Sequence, residues 1–400
     1  MKTEIRPSTL SSEPGSLSLT EDANEKFGRV VRRRSFLKGM GMATAAVPAA
    51  VLLPAGALFT EAKAHASEPQ HGGKLSRGDA AILRFLAAVE LIESDLWVQY
   101  NELGGVNGGN PAYIAALQNL DGDMPQYISD NTDDELSHAA FLNAYLESKG
   151  EEQVNLDQFR TLPSSQATGA KQIGRLTNLL NLNVDLSWYT RYRSKENPDL
   201  GATFKGPFSI TNEPAIPLND TDTPPNTAQP APPVTPAARR MQAIANTAGF
   251  HFAFIEQGGS SLYTTMALKA SDLEVLRIVV SIGGVEVDHF SLWHDKAGNA
   301  VAQPLAGLVD PETGLTFPDL NAPATELTKT NLILPEPCDF LKQEKLPPCS
   351  VIRPSLTENG GAVATIKAFT DDLLFAGQSN EFFHLVRQLA SEADAAQREL

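Results

Sequence analysis

Two cysteines in 400 residues leave this chain without a disulfide framework and without the ligands for a four-cysteine zinc or iron–sulfur site. Basic residues are also scarce. The 32 Lys and Arg face 48 Asp and Glu, and the net charge of -16 disfavours nucleic acid or an anionic membrane surface as a partner. No repeat at solenoid periods is present. No hydrolase-type nucleophile turn or phosphate-cradling glycine loop is present either; Ser260 and Ser261 follow Gly259 without such a pattern. With 42% apolar and 20% charged residues, the chain can build a sizeable core and reads as globular.

The first 31 residues are polar, and they lead into Arg32-Arg33-Arg34-Ser35-Phe36-Leu37-Lys38 and then an uncharged stretch from Gly39 to Phe59. Ala and Gly dominate that stretch and Pro48 and Pro54 interrupt it, which suits a cleaved leader better than a spanning helix. Ala64-His65-Ala66 is a small-x-small cleavage pattern, so cleavage is expected before Ser67. Arg33-Arg34-Ser35-Phe36-Leu37-Lys38 resembles the twin-arginine export signal, whose cargo crosses the membrane already folded, often with a cofactor in place. A periplasmic or secreted acidic protein with no membrane span after cleavage is the expectation. In such an oxidising place Cys338 and Cys349 are expected to pair around Pro347 and Pro348, a free-thiol pair being the alternative.

Beyond the leader, hydrophobic periodicity at three and four predicts helices. The first runs from Ser76 to Leu103, with Ile82, Leu83, Leu86, Val89, Leu96, Trp97 and Tyr100 inward and Ser76 as cap. An irregular stretch follows a Gly/Asn-rich break at Gly104–Asn110. The second helix is Tyr127 to Lys149, with Leu136, Ala139, Ala140, Leu142, Tyr145 and Leu146 inward and Gly150 as its stop. Ile173 to Arg193 also has a helical pattern, whereas Asn212 to Pro236 is dense in Pro, Thr and Asn and reads as an extended crossing. The third helix is Ala237 to Ala270. The fourth is Ser271 to Lys296, opened by Ser271-Asp272-Leu273-Glu274 as a capping box. After a Pro/Gly-punctuated loop over 297–360, one or two helices broken near Gly377 fill Ala362 to Leu400. The expected fold is all-α: a four-helix bundle with a long crossover between its second and third helices and a C-terminal loop and helix extension. The expected segments are a leader over 1–66, the bundle over 67–300 with its insertion at 151–236, and an extension over 301–400.

On a helix, Glu-x-x-His sets a carboxylate and an imidazole on one face, where both reach one metal. The second helix holds Glu135-Leu136-Ser137-His138 and the fourth holds Glu286-Val287-Asp288-His289. The 26 Glu and 7 His predict about half of one such pair by chance, and the chain has four. Of the other two, Glu68-Pro69-Gln70-His71 contains a proline and Glu381-Phe382-Phe383-His384 lies on a C-terminal helix, so neither joins the bundle pattern. The remaining helices supply Glu256, with Tyr263 seven residues on, and either Glu90 or Glu93, with Trp97 seven residues beyond Glu90. Alternatives stand beside this reading. Glu135 can cap a helix beginning at Thr132, and Glu256 and Glu286 can pair with Arg239, Arg240 or Arg277. His289 can be a backbone-bonded core histidine, and Gly258, Gly259, Gly283 and Gly284 can mark either close approach beside a site or broken helices.

Asp79-Ala80-Ala81-Ile82-Leu83-Arg84-Phe85, Val89-Glu90-Leu91-Ile92-Glu93 with Trp97, and Glu256-Gln257-Gly258-Gly259-Ser260-Ser261-Leu262-Tyr263 together resemble the first and third helices of the ferritin-like domain family of exported bacterial proteins. The resemblance covers most of 76–150 and 237–297. It implies that Glu90, Glu135, His138, Glu256, Glu286 and His289 hold two iron or manganese ions, while Trp97 stands where a Tyr is usual. Two functions are then open: redox work on oxygen, peroxide or ferrous iron, or a non-catalytic envelope or stress scaffold with an empty or structural site. A homodimer is an assembly compatible with either, whereas the insertions obstruct a storage cage.

Overall fold

This computed structural model describes residues 74–186, 209–222, 232–298, 300–317, 332–334, 346–347, 349–351 and 360–399. The chain divides into Met1–Pro69 and Gln70–Leu400, and the described residues all belong to the second unit. The expected leader, its twin-arginine run, Glu68-x-x-His71 and Cys338 lie outside the described residues.

The protein is mostly helical. Helix α1 (Arg77–Gly104) starts on Ser76, whose hydroxyl accepts from Asp79 N, and buries Ile82, Leu86, Leu96, Trp97 and Tyr100. A short α2 (Pro111–Gln118) occupies the stretch expected to be irregular; its signal was Asn110-Pro111, an Asn cap followed by proline at the first helical position. Helix α3 (Met124–Ser148) packs along α1 and stops at Gly150, whose φ of +75° suits glycine. Thr132 lies inside α3 with its hydroxyl on Ile128 O, so the proposed helix start there is wrong. Ala139, Leu142 and Leu146 are buried as expected, but Leu136 and Tyr145 are half-buried and Ala140 is exposed, because the inward stripe is turned by Asn131, Glu135 and His138.

Helices α4 (Pro236–Ala267) and α5 (Leu273–Trp293) pack against each other. Asp272, not Ser271, caps α5, accepting from Glu274 N and Val275 N. Ser271 and Asp272 instead donate their backbone N–H groups to Asp79, which ties the start of α5 to the start of α1. A π turn, His294–Gly298, follows α5.

The helix expected over Ile173–Arg193 does not form over 173–186, and 187–193 lie outside the described residues. Leu176, Leu179, Leu182 and Leu186 are all buried at spacings that mimic a helix. Their backbone is engaged elsewhere: Asp95 of α1 accepts from Leu176 N and Thr177 N, and Ala215 N donates to Leu179 O. A backbone spent on such partners cannot also fill an i to i−4 ladder. The segment ends in β1 (Leu182–Asp185), paired antiparallel with β2 (Ser209–Glu213). A second two-stranded antiparallel pair joins β3 (Leu332–Leu334) to β4 (Cys349–Val351). At the C-terminus, α6 (Ala362–Asp371) and α7 (Asn380–Asp394) flank a turn with Gly377 at φ +94°, and α7 packs on α1. No helix among the described residues is long and apolar enough to cross a membrane.

Candidate metal centre

Helices α1, α3, α4 and α5 each turn acids inward at mid-length. Glu90, Glu135, Glu256 and Glu286 have no solvent exposure, in a core where an unpaired charge costs several kcal/mol. His138 and His289 join them, because three residues of helix bring each imidazole onto the face of its glutamate. Ligand atoms of Glu90, Glu135, His138 and Glu286 all lie within 4.8 Å of one another, and so do those of Glu135, Glu256, Glu286 and His289. Glu135 and Glu286 belong to both groups. His138 Nδ1 stands 3.4 Å from Glu90 Oε2, 3.3 Å from Glu135 Oε2 and 3.4 Å from Glu286 Oε1. On the other side His289 Nδ1 stands 3.1 Å from Glu135 Oε1 and 3.3 Å from Glu256 Oε2.

These contacts leave atoms unmatched. Glu90 Oε2, Glu256 Oε2, both carboxylate oxygens of Glu286 and His289 Nδ1 are buried without a hydrogen-bond partner among the described residues. Lone pairs aimed at a common centre and not at donors are what a cation site requires. The six residues therefore suit a metal, and all six are those singled out in the sequence.

A family model described as the ferritin-like domain matches residues 78–299. The chain belongs to the ferritin-like domain family. No curated protein and no solved structure matches it.

Around the ferritin-like cluster, the two aromatics noticed seven residues beyond Glu90 and Glu256 serve each other's glutamate. Trp97 Nε1 donates to Glu256 Oε1 at 2.9 Å, and the Tyr263 hydroxyl donates to Glu90 Oε1. Asn131, which the sequence reading missed, donates through Nδ2 to Glu135 Oε1 at 2.8 Å and Glu256 Oε1 at 3.0 Å, while its own Oδ1 accepts from Trp293 Nε1 at 2.6 Å. Asp134 was missed too; its Oδ2 lies 3.2 Å from His289 Nε2, which fixes the imidazole with Nδ1 inward. The alternative partners lie elsewhere: Arg240 pairs with Glu213, Asp222, Asp310 and Glu312, and Arg239 and Arg277 are exposed.

Helices α4 and α5 run unbroken through their glycines, and two of these are close approaches. A Cβ on Gly259 would sit 2.3 Å from Glu286 Oε2, and one on Gly283 would sit 2.7 Å from Tyr263 Cβ. Glu93 is buried as well, but it belongs to neither group of converging ligands, so the geometry favours Glu90 as the α1 contribution. Glu381 and His384 are exposed on α7 and belong to neither group of converging ligands.

Burial pushes the Glu90 carboxyl up to about 7, against the charge of His138. Burial and then neighbouring carboxylates push Glu93 and Glu286 well up, and burial raises Glu256. Glu135 goes the other way: burial raises it, but the close imidazoles of His138 and His289 outweigh that and hold it well below the carboxylate range. Both histidines are raised despite burial, His138 chiefly by the charge of Glu90 and His289 by that of Glu256. Protons retained on these groups thus offset part of the charge that their burial would otherwise leave unpaired.

Proposed function

We propose that α1, α3, α4 and α5 form a ferritin-type four-helix bundle, with 151–236 as the crossover between its second and third helices, and that its centre holds two iron or manganese ions. The observation that carries this reading is the set of orphaned, converging atoms on Glu90, Glu256, Glu286 and His289. Glu90 and His138 would hold one ion, Glu256 and His289 the other, and Glu135 and Glu286, common to both groups, would serve the two together. Charge supports the number: four carboxylates neutralise two divalent cations with both imidazoles neutral. Bound iron or manganese would supply one-electron redox chemistry at two adjacent ions, suited to oxygen, peroxide or ferrous iron as substrate.

The chain's residues do the rest. Tyr263, Trp97, Asn131 and Asp134 orient the ligands, and the apolar walls exclude bulk water. His138 and His289, at 8% and 5% exposure, are the least covered of the six, so a small oxidant reaches the centre between α3 and α5. The leader pattern supports export as a folded protein to the periplasm or beyond, with the mature chain beginning at Ser67; N-terminal sequencing of exported protein tests this.

Elemental analysis of the protein folded in its native host tests the centre. About two iron or manganese ions per chain are expected, falling on Glu135→Ala or His289→Ala with the helical content retained. A well-folded, metal-free protein whose melting is indifferent to added iron or manganese would overturn the proposal and favour a scaffold.

A further inference from the structure

A second buried polar string lies one ring away from this cluster. The Tyr100 hydroxyl is 2.7 Å from His251 Nδ1, and His251 Nε2 is 2.9 Å from Asp372 Oδ2; all three residues are buried. The partners set the roles: an ionised Asp372 accepts from Nε2–H, which leaves Nδ1 to accept the phenolic proton. Tyr100 lies one helical turn beyond Trp97, with ring centroids 5.6 Å apart, and Trp97 donates directly to Glu256. Glu256, Trp97, Tyr100, His251 and Asp372 thus form a continuous path from the candidate centre into the opposite wall.

Asp372 is placed there at some cost. It lies beyond the family-matched residues, in the turn after α6, and its Oδ1 has no hydrogen-bond partner among the described residues. The next residue, Leu373, is held at φ +66°, the left-handed region that disfavours a residue with a side chain. Asn183 N donates to Asp372 O at 3.0 Å and Asn178 Nδ2 to Leu373 O at 3.2 Å, so the crossover clamps the turn that carries the aspartate.

We propose that Tyr100 is a redox-active side chain that passes one electron through Trp97 to the oxidised centre, with His251 as its proton acceptor and Asp372 as the residue that positions and charges that acceptor. This rests on the reading of the centre given above. In the step, Tyr100 loses one electron and its O–H bond breaks. The proton moves 2.7 Å to His251 Nδ1, the electron leaves through Trp97 toward the ligands Glu256 and His289, where bound iron or manganese in its oxidised state would accept it, and a neutral tyrosyl radical stands beside an imidazolium–carboxylate pair. Retaining the proton on His251 removes the need to form a buried phenol cation. Burial raises the Tyr100 hydroxyl well above its ordinary value, so electron loss without a waiting base is disfavoured.

Two experiments separate this proposal from the centre itself. In iron- or manganese-loaded protein treated with hydrogen peroxide and frozen rapidly, electron paramagnetic resonance is expected to show a tyrosyl radical that Tyr100→Phe abolishes with metal content unchanged. In protein loaded with redox-silent zinc, or metal-free if it binds none, azide radicals generated by pulse radiolysis oxidise tryptophan. Decay of tryptophan-radical absorption into tyrosyl absorption is expected, lost in Tyr100→Phe and slowed about tenfold in Asp372→Asn. Tyr113→Phe, which removes a hydroxyl that donates to Ala215 O, leaves it unchanged. Tyrosyl formation that survives Tyr100→Phe in the second experiment, or is absent from the wild type, overturns the relay whatever the metal content; an intact relay in protein that binds no metal overturns the centre alone.

Discussion

Acidity and metal should stabilise this protein in opposite pH ranges. The Glu90 carboxyl titrates near 7 in the folded chain against an ordinary 4.5. A raised folded value stabilises fully below the ordinary value, and that contribution is lost as pH rises through the folded one, roughly 3 kcal/mol for this shift. Glu256 and Glu286 act in the same direction. The raised histidines add a further loss above 6.5, where the unfolded chain sheds protons that the folded one keeps. Glu135, held low, contributes a constant amount between pH 5 and 8. For a folded unit of roughly 330 residues the unfolding entropy is near 0.7 kcal/mol per degree, so Glu90 alone should make metal-free protein melt about 4 °C lower at pH 8 than at pH 5, and the other raised groups widen the gap. Two ions, each present at about a hundred times its dissociation constant, would restore roughly 5.5 kcal/mol, or about 8 °C, and more fully at pH 8, where fewer protons compete. Scanning calorimetry with and without chelator at both pH values reads the difference. Groups away from the centre that also titrate upward, such as Glu213 near 7, add to the pH dependence of both samples and cancel only in the difference that chelator makes at one pH. A melting temperature at pH 8 that chelator does not lower, or a metal effect larger at pH 5, would refute the reasoning.

Three substitutions probe the surroundings. Gly259→Ala places a methyl where Glu286 Oε2 now sits and should reduce bound metal below half while α4 gains helix propensity, a combination measured by metal content beside circular dichroism. Trp97→Phe keeps the stack on Trp293 but removes the donor to Glu256, and metal affinity by titration should weaken about 10- to 100-fold; an unchanged affinity would show that Trp97 does not orient the ligand. Arg240→Ala strands the buried acids Glu213, Asp222 and Asp310 and should cost about 3–5 kcal/mol in denaturant unfolding without altering metal stoichiometry.

The sequence is legible where a signal is local to one helix. Glu135 with His138, and Glu286 with His289, announce themselves by a spacing of three, and Glu256 by its place in an apolar run. The ends of α1 were legible from Ser76, and that of α3 from Gly150. Periodicity failed over 173–186, where an irregular chain buries a leucine every third or fourth residue while giving its backbone to Asp95. Asn131, Trp293 and Asp134 left no trace either, because what distinguishes them is a partner on another helix: Trp293 meets Asn131 across 162 residues. His251 and Asp372 are separated by 121 residues, and the latter comes from a turn that no helical pattern marks.

The cluster is nearly symmetric in its ligands and unequal in what backs them. Each half supplies a lone glutamate, a Glu-x-x-His pair and an aromatic donor reaching across to the other half's glutamate. Beside Glu90 that donor is Tyr263, close to the carboxylate. Beside Glu256 it is Trp97, which is stacked 5.2 Å from Trp293 and followed by Tyr100, His251 and Asp372. An indole can donate the same hydrogen bond as a phenol, so ligand orientation alone does not require the difference. It does change what lies behind the bond: the Trp97 ring continues into a chain of buried aromatics. On the Glu90 side the donor's ring instead abuts Gly283, whose Cβ position lies 2.7 Å from Tyr263 Cβ. On the relay proposed above, electron exchange with the protein is therefore expected at the Glu256–His289 side.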